Sequence, residues 1–230
     1  ILLTIIYLRH NPTFQMLGIQ FKISESTAHY TFNYWQSILE KALPPSLLEQ
    51  VKKYPSEAEW IQEIIAEIEL TVDSWESNRE RPTDYQEQKK CYSGKRKNHT
   101  YKNQAIILPK GEDIVDIVVG ELGPRSDISI WRVQKDKFKS SQKFRGDKAY
   151  VGEAQIQRPH KKPPLGKLTE KQKAENKESA KKRIYVEHII RVIKIFKLAQ
   201  ERFRLNSQKY SSTMRTICGL VRLRIGALIL

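Results

Sequence analysis

From Glu67 onward the pattern changes from that of helices to that of strands, in three runs in close succession, the first of them alternating as a half-buried strand does. IELTVDSW, HTYKNQAIIL and DIVDIVVGEL are the three runs, and Lys110 with Gly111 supplies a turn between the second and third. SDISIWRVQKDKF then reads as a helix. QKFRGDKAYVG reads as a short strand ending at Asp147, a Pro/Lys-rich loop follows, and a long helix is expected from Leu168 or Thr169 towards Leu205. Three consecutive strands, a helix, another strand and more helices leave few arrangements. They predict an α/β (α+β) layer fold with one mixed sheet flanked by helices.

Ahead of this block the chain is helical. Pro12 can open a helix carrying Phe14, Leu17 and Phe21, and a break falls at Lys22–Ser24. Ser24 or Ser26 caps a second helix striped by Ala28, Phe32, Trp35 and Leu39, and Pro44 and Pro45 end it. Two helices across a short turn form a helix-turn-helix candidate or a plain helical hairpin. In the first case Ser26, Thr27, His29, Tyr30 and Asn33 would face a DNA groove. The expected organisation is a helix-turn-helix module over 1–45, a helical linker over 46–65, a catalytic domain over 66–205 and a basic helical tail over 206–230. Ile1 already lies in helical sequence, without an initiator methionine, so a preceding segment is expected to be missing.

Charge narrows the function. The net charge is +15, yet residues 1–72 carry five Lys/Arg against eight Glu, so residues 73–230 hold +18. Such density points to a polyanion, because Lys and Arg that neutralise phosphates release condensed counterions. A solubilising surface or a ribosome-associated protein would carry similar charge. Lys95, Arg96 and Lys97, with His99, Tyr101 and Lys102, form a basic run with interleaved aromatics, and Lys161, Lys162 and Lys167 lie in the later loop; all are candidate DNA contacts. Cys91 and Cys218 are far apart and read as free thiols of a reducing cytoplasm or nucleoid. The apolar runs at either end are too short or too interrupted for the roughly 20 residues that span a bilayer, so no membrane is involved.

Within the basic part, two aspartates, Asp73 and Asp147, are expected at strand ends. A helix adds Arg183, Glu187 and Lys194, which at about 100° per residue share one face. Each acid alone is an ordinary turn, cap or ion-pair residue. Together they are the hard oxygen donors that hold Mg²⁺, and a pair of such ions can promote in-line displacement at phosphorus. An aspartate among lysines is then explained by a cationic ligand.

VDSW, KKCYSGKRKNHTYKNQ, GPRSD, GDKAYVGE and the segment KKPPLGKLTEKQKAENKESAKKRIYVEHIIRVIK occur in that order, behind a helix-turn-helix with PTF and SESTA. The set resembles bacterial insertion-sequence transposases of the DDE superfamily over nearly the whole chain. The resemblance implies a ribonuclease-H-like catalytic domain. It also implies endonucleolytic cleavage at mobile-element ends and strand transfer into target DNA, with two divalent cations, Mg²⁺ or Mn²⁺. Double-stranded DNA, both terminal repeats and target, is the implied partner of a homodimer or higher oligomer. Asp73, Asp147 and Glu187 match the catalytic and metal-binding acids, Arg183 and Lys194 match the rest of the helix signature, and Asp127 in GPRSD is a candidate fourth acid or a helix cap. Ala180 stands where that signature has tyrosine. Two other classes stay open: a catalytically inactive or truncated transposase-derived DNA-binding protein, and a structural or ribosome-associated basic protein.

Overall fold

The computed structural model describes residues 1–53, 55–163 and 166–228. Three helices open the chain: α1 (Leu2–His10), α2 (Phe14–Phe21) and α3 (Glu25–Ala42). Thr13 caps α2 by accepting from Met16 N, and Ser24 caps α3 by accepting from Thr27 N. Between them Lys22 takes a left-handed conformation, and a Cβ on Gly18 would lie 2.8 Å from the Ile23 carbonyl oxygen, so the tight turn needs glycine there. The apolar stripe closes as expected at Leu17, Ala28 and Phe32, which are fully buried. Trp35 and Leu39 are only half-buried, and Gln36 takes the inward position, where its amide donates to Thr216 Oγ1 at 3.1 Å. Two short helices, α4 (Leu47–Val51) and α5 (Pro55–Ala66), occupy the next stretch.

The sheet is built around β1 (Leu70–Asn78). A helix not foreseen from the sequence, α6 (Tyr85–Cys91), leads into the short β2 (Tyr92–Ser93), which turns through residues 94–97 into the long β3 (Asn98–Ile107); β4 (Ile114–Leu122) follows. β1 pairs antiparallel with β3, and β3 antiparallel with both β2 and β4. After α7 (Asp127–Gln134) come the two-residue strands β5 (Phe144–Arg145) and β6 (Ile156–Gln157), which continue the sheet in parallel beyond β1. This is the mixed α/β sheet flanked by helices of a ribonuclease-H-like fold, preceded by a helical region.

Alternation along β1 and β3 assigns each side chain to a face. Leu70, Val72 and Ile106 join Trp131, Phe144 and Tyr150 in one core, under α7. Trp75, Ala105 and Ile107 join Val186, Ile189 and Ile193 in the other. Those last three belong to α8 (Glu170–Lys194), which opens on a capping box of Thr169 and Gln172. Ile184 is exposed, and Val186 and Ile190 are buried on the packed face. The long helix also stops at Lys194, short of Leu205. Phe196 turns extended to enter the core, the Arg9 guanidinium takes the Ile195 carbonyl, and Ser77 Oγ donates to Ala199 O at 2.7 Å. α9 (Lys197–Gln200) and α10 (Tyr210–Arg224) complete the order.

α10 is packed into the first core through Met214, Ile217, Cys218 and Val221. A Cβ on Gly219 would meet the Leu43 carbonyl oxygen at 2.5 Å, so only glycine permits this approach. Arg222 is fully buried; it donates to both carboxylate oxygens of Asp113 at 2.6 and 2.7 Å, to Pro44 O at 2.8 Å and to Gln50 Oε1 at 2.9 Å. Replacing it by methionine strands a buried carboxylate. We expect Arg222→Met to cost about 3–5 kcal/mol in urea denaturation; a loss below about 1 kcal/mol would show that the pair is dispensable.

Candidate active site

Asp73 lies in the middle of β1 rather than at its end, because β3 goes on pairing with β1 as far as Asn78 and Thr100. Its parity is that of Trp75, so it points to the α8 side, where Arg183 Nη2 stands 3.7 Å from its Oδ2. The carboxyl is held at a pKa of about 6, well above its ordinary range. Burial is the main cause, opposed by the Ser74 N–H and the Arg183 guanidinium and reinforced by the nearby carboxylates of Asp147 and Asp127. Asp73 thus feels two acids carried on other segments of the chain.

Asp147 follows β5 in a turn, half-exposed, and its Oδ1 accepts from Ala149 N at 2.7 Å. The turn is anchored by Tyr150, which is fully buried. A buried amide then joins the separate elements: Gln104 Nε2 lies 3.0 Å from Tyr150 Oη, 3.0 Å from Ser74 Oγ and 2.9 Å from the Asp127 carbonyl oxygen. That carbonyl can only accept, which fixes the nitrogen on this side. Ser74 follows Asp73, Tyr150 is in the Asp147 turn, and Asp127 opens α7. A single glutamine therefore ties together the segments bearing all three aspartates.

Asp127 does not cap its helix; Ser126 does, accepting from Ser129 N. The Asp127 carboxylate instead pairs with Lys102 Nζ at 2.7 Å, and Glu76 lies 3.9 Å from the same ammonium. Lys102, expected on DNA, is turned inward and only 8% exposed, because β3 alternation places it on the α7 face beside these acids. Lys95, Arg96 and Lys97 stand exposed at the β2–β3 turn. Lys161 and Lys162 are exposed in a loop pinned to α8 by His160, whose N–H donates to Asn176 Oδ1 at 2.7 Å. On α3, Ser26, Thr27 and His29 are exposed; Asn33 donates to the His29 carbonyl at 2.9 Å, while Lys209 donates to its side-chain oxygen.

On α8 the spacing of Arg183, Glu187 and Lys194 puts them along the groove as expected. Glu187 is largely exposed, with Arg183 Nη2 3.7 Å from its Oε1, so the arginine stands between Glu187 and Asp73. Asp73, Glu187 and Lys194 line one groove with Trp75, Ile190 and Arg191. The Lys194 pKa is lowered, first by burial and then by Arg96, against the opposing pull of Asp73. Among the described residues, no group of three or more His, Cys, Asp or Glu side chains is arranged to hold a metal as it stands. Sequence reasoning missed Gln104, Tyr150 and Arg191. Gln104 carried little signal, since it follows Lys102 and Asn103 in the polar half of its strand, just before the apolar run from Ala105.

Losing the Gln104 amide leaves the Tyr150 and Ser74 hydroxyls with each other and takes its side-chain donor from the Asp127 carbonyl. Gln104→Leu is expected to lose about 1–3 kcal/mol in denaturant titration, and Tyr150→Phe less. No difference from the parent would remove the amide from its central place.

Two family models match the chain. The first, described as DDE superfamily endonuclease, covers residues 72–222, and the second, described as the helix-turn-helix of DDE superfamily endonuclease, covers residues 1–45. Among curated proteins the chain is similar to a probable transposase for insertion sequence element IS702 of Microchaete diplosiphon, 31% identical over 224 residues, which span 96% of this chain and 78% of that protein. No solved structure matches it significantly. The matched spans take in the paired N-terminal helices, the sheet that carries Asp73 and the helix that carries Glu187, and the chain belongs to the DDE superfamily of insertion-sequence transposases.

Proposed function

We propose that this transposase cuts DNA at the ends of its mobile element and joins the freed 3′ hydroxyl to target DNA, with divalent cations held by Asp73, Asp147 and Glu187. The observation that carries the reading is the half-buried Asp73 carboxyl, made harder to ionise by desolvation and by the neighbouring Asp147 and Asp127. A cation relieves that repulsion, and the donors are all oxygens, as Mg²⁺ or Mn²⁺ prefers. When bound, such ions stabilise the charge that develops at phosphorus during in-line displacement. Lys102 keeps Asp127 paired, whereas among the described residues Asp73, Asp147 and Glu187 have no lysine partner. Arg183, within reach of both Asp73 and Glu187, orients the glutamate or takes a DNA phosphate in its place. Lys194 and Arg96 bring positive charge to the same groove for the scissile strand.

The exposed turn at Lys95–Lys97, together with Lys161 and Lys162, grips the DNA backbone, and Ser26, Thr27, His29 and Asn33 meet the terminal repeat. The helix-turn-helix 1–45, linker 46–65, catalytic domain 66–205 and basic segment 206–230 divide the work of recognition and cutting, in a homodimer or higher oligomer assembled on DNA in the bacterial cytoplasm. Among the described residues no helix is long and apolar enough to cross a membrane.

A second reading, a transposase-derived protein that binds DNA without cutting it, has one observation in its favour: Arg183 occupies the space between Asp73 and Glu187. Nicking of supercoiled plasmid carrying the element ends separates the two. The parent is expected to nick with Mg²⁺ or Mn²⁺ and to stop when a chelator is added. Asp147→Ala should lose at least about 100-fold in rate while gel-shift affinity for the ends holds or tightens. Retained binding without nicking by the parent would leave the second reading.

A further inference from the structure

Away from the acids, α6 and the β2–β3 hairpin build a second feature. Tyr92 and His99 are cross-strand partners, with rings 5.6 Å apart and edge to face. Tyr85, on α6, is 63% exposed and Tyr92 45%, so two large rings lie open on a strongly basic surface. Lys89 Nζ sits 4.6 Å from the centre of the Tyr85 ring. Arg81 donates to Gln88 Oε1 at 3.0 Å, and Gln88 in turn donates to Pro82 O at 2.9 Å. These six side chains, Arg81, Tyr85, Gln88, Lys89, Tyr92 and His99, line one shallow pocket. Its floor is fixed by hydrogen bonds, and its walls are rings and cations.

The pocket is joined to the active-site groove through the hairpin. Lys95, Arg96 and Lys97 form the turn that follows Tyr92, and Arg96 is close enough to Lys194 to depress its pKa. A strand lying along the groove would therefore meet the turn and then the rings. His99 has its pKa lowered, first by burial and then by Arg81 and Arg79, and so offers a neutral face to stacking.

We infer that this pocket stacks an unpaired nucleobase of the DNA strand engaged at the groove, with Lys89 and Arg81 taking the flanking phosphates. Charge complementarity selects this occupant: the ligand has to be planar and apolar in its middle and anionic at its edges, and a base between two phosphates has that form. A paired base presents no free face to Tyr85 or Tyr92, so the pocket recognises separated strands. The inference rests on the DNA-cutting reading for its context, but binding alone tests it.

The test is fluorescence anisotropy with the full chain, at one salt concentration, on an oligothymidylate of about 12 nucleotides and on a duplex of equal length. Tyr92→Ala and Tyr85→Ala are each expected to weaken oligothymidylate binding about 10-fold and to leave duplex affinity unchanged, while Tyr92→Phe retains the parent's affinity for both. The rings are exposed, and unchanged circular dichroism and melting temperature would verify folding. Equal losses on single strand and duplex, or no loss on either, would overturn the inference. A parent that fails to nick plasmid yet shows the single-strand loss would overturn the nuclease reading and leave the stacking pocket standing.

Discussion

The antiparallel pairing of β1 with β3 is the constraint on which everything else in this protein depends. With Asp73 opposite Ala105 and Ser74 opposite Gln104, strand parity sends Asp73 towards α8 and its neighbour Ser74 towards α7. One residue of slip would exchange the two faces, placing the acid in the core of Trp131 and Phe144 and the hydroxyl beside Arg183. That register is pinned by apolar residues that must be buried: Leu70, Val72 and Ile106 on one side, Trp75 and Ala105 on the other. The chemistry of the site is thus aligned by hydrophobic pattern, at no cost in special geometry at the acid itself.

Buried cations, Lys102, Arg145 and Arg222 among the described residues, look at first like a liability in a chain of net charge +15. Lys102 and Arg222 are tolerated because each meets carboxylates and hydrogen-bond acceptors that replace water. Lys102 is met by Asp127 and Glu76, and Arg222 by Asp113, Pro44 O and Gln50. They serve different ends. Arg222 welds α10 to the start of β4 and to the link after α3. Lys102 holds one of the acids around Asp73 in a fixed relation to the sheet, so the electrostatic surroundings of the site are set by the fold.

Much of this was legible in the amino-acid order, and the parts that were not have physical reasons. The alternating run around Asp73 announced β1, and the short apolar runs around Ala105 and Ile117, bounded by turn residues, announced β3 and β4, because both are local signals of a strand. Spacing alone put Arg183, Glu187 and Lys194 on one helical face. The inward turn of Lys102 was hidden, since a lysine in a basic run looks the same whether it faces phosphate or a buried aspartate; only the parity of β3 distinguishes them. The end of α8 at Lys194 was equally invisible. No Gly or Pro marks it, and the break comes from Phe196 entering the core and Arg9 claiming the Ile195 carbonyl, contacts made across the whole length of the chain. Gln104 follows Lys102 and Asn103 in the polar half of β3, so nothing local sets it apart, and its three partners on separate elements emerge only after folding.

The contact between α3 and α10 bears on how such a chain is made. Gln36 finds its buried partner Thr216 180 residues further along, and Leu43 is covered by Gly219. During synthesis, at roughly 5–20 residues per second, the N-terminal helices emerge many seconds before the helix that covers them. For that interval α3 presents an unfinished surface, with Ala28 and Phe32 seated only against α1 and α2. The helices that carry the helix-turn-helix thus reach their final packing only after the sheet and its acids have already been made. A nascent chain that has reached the sheet but not α10 therefore carries its N-terminal helices in unfinished form.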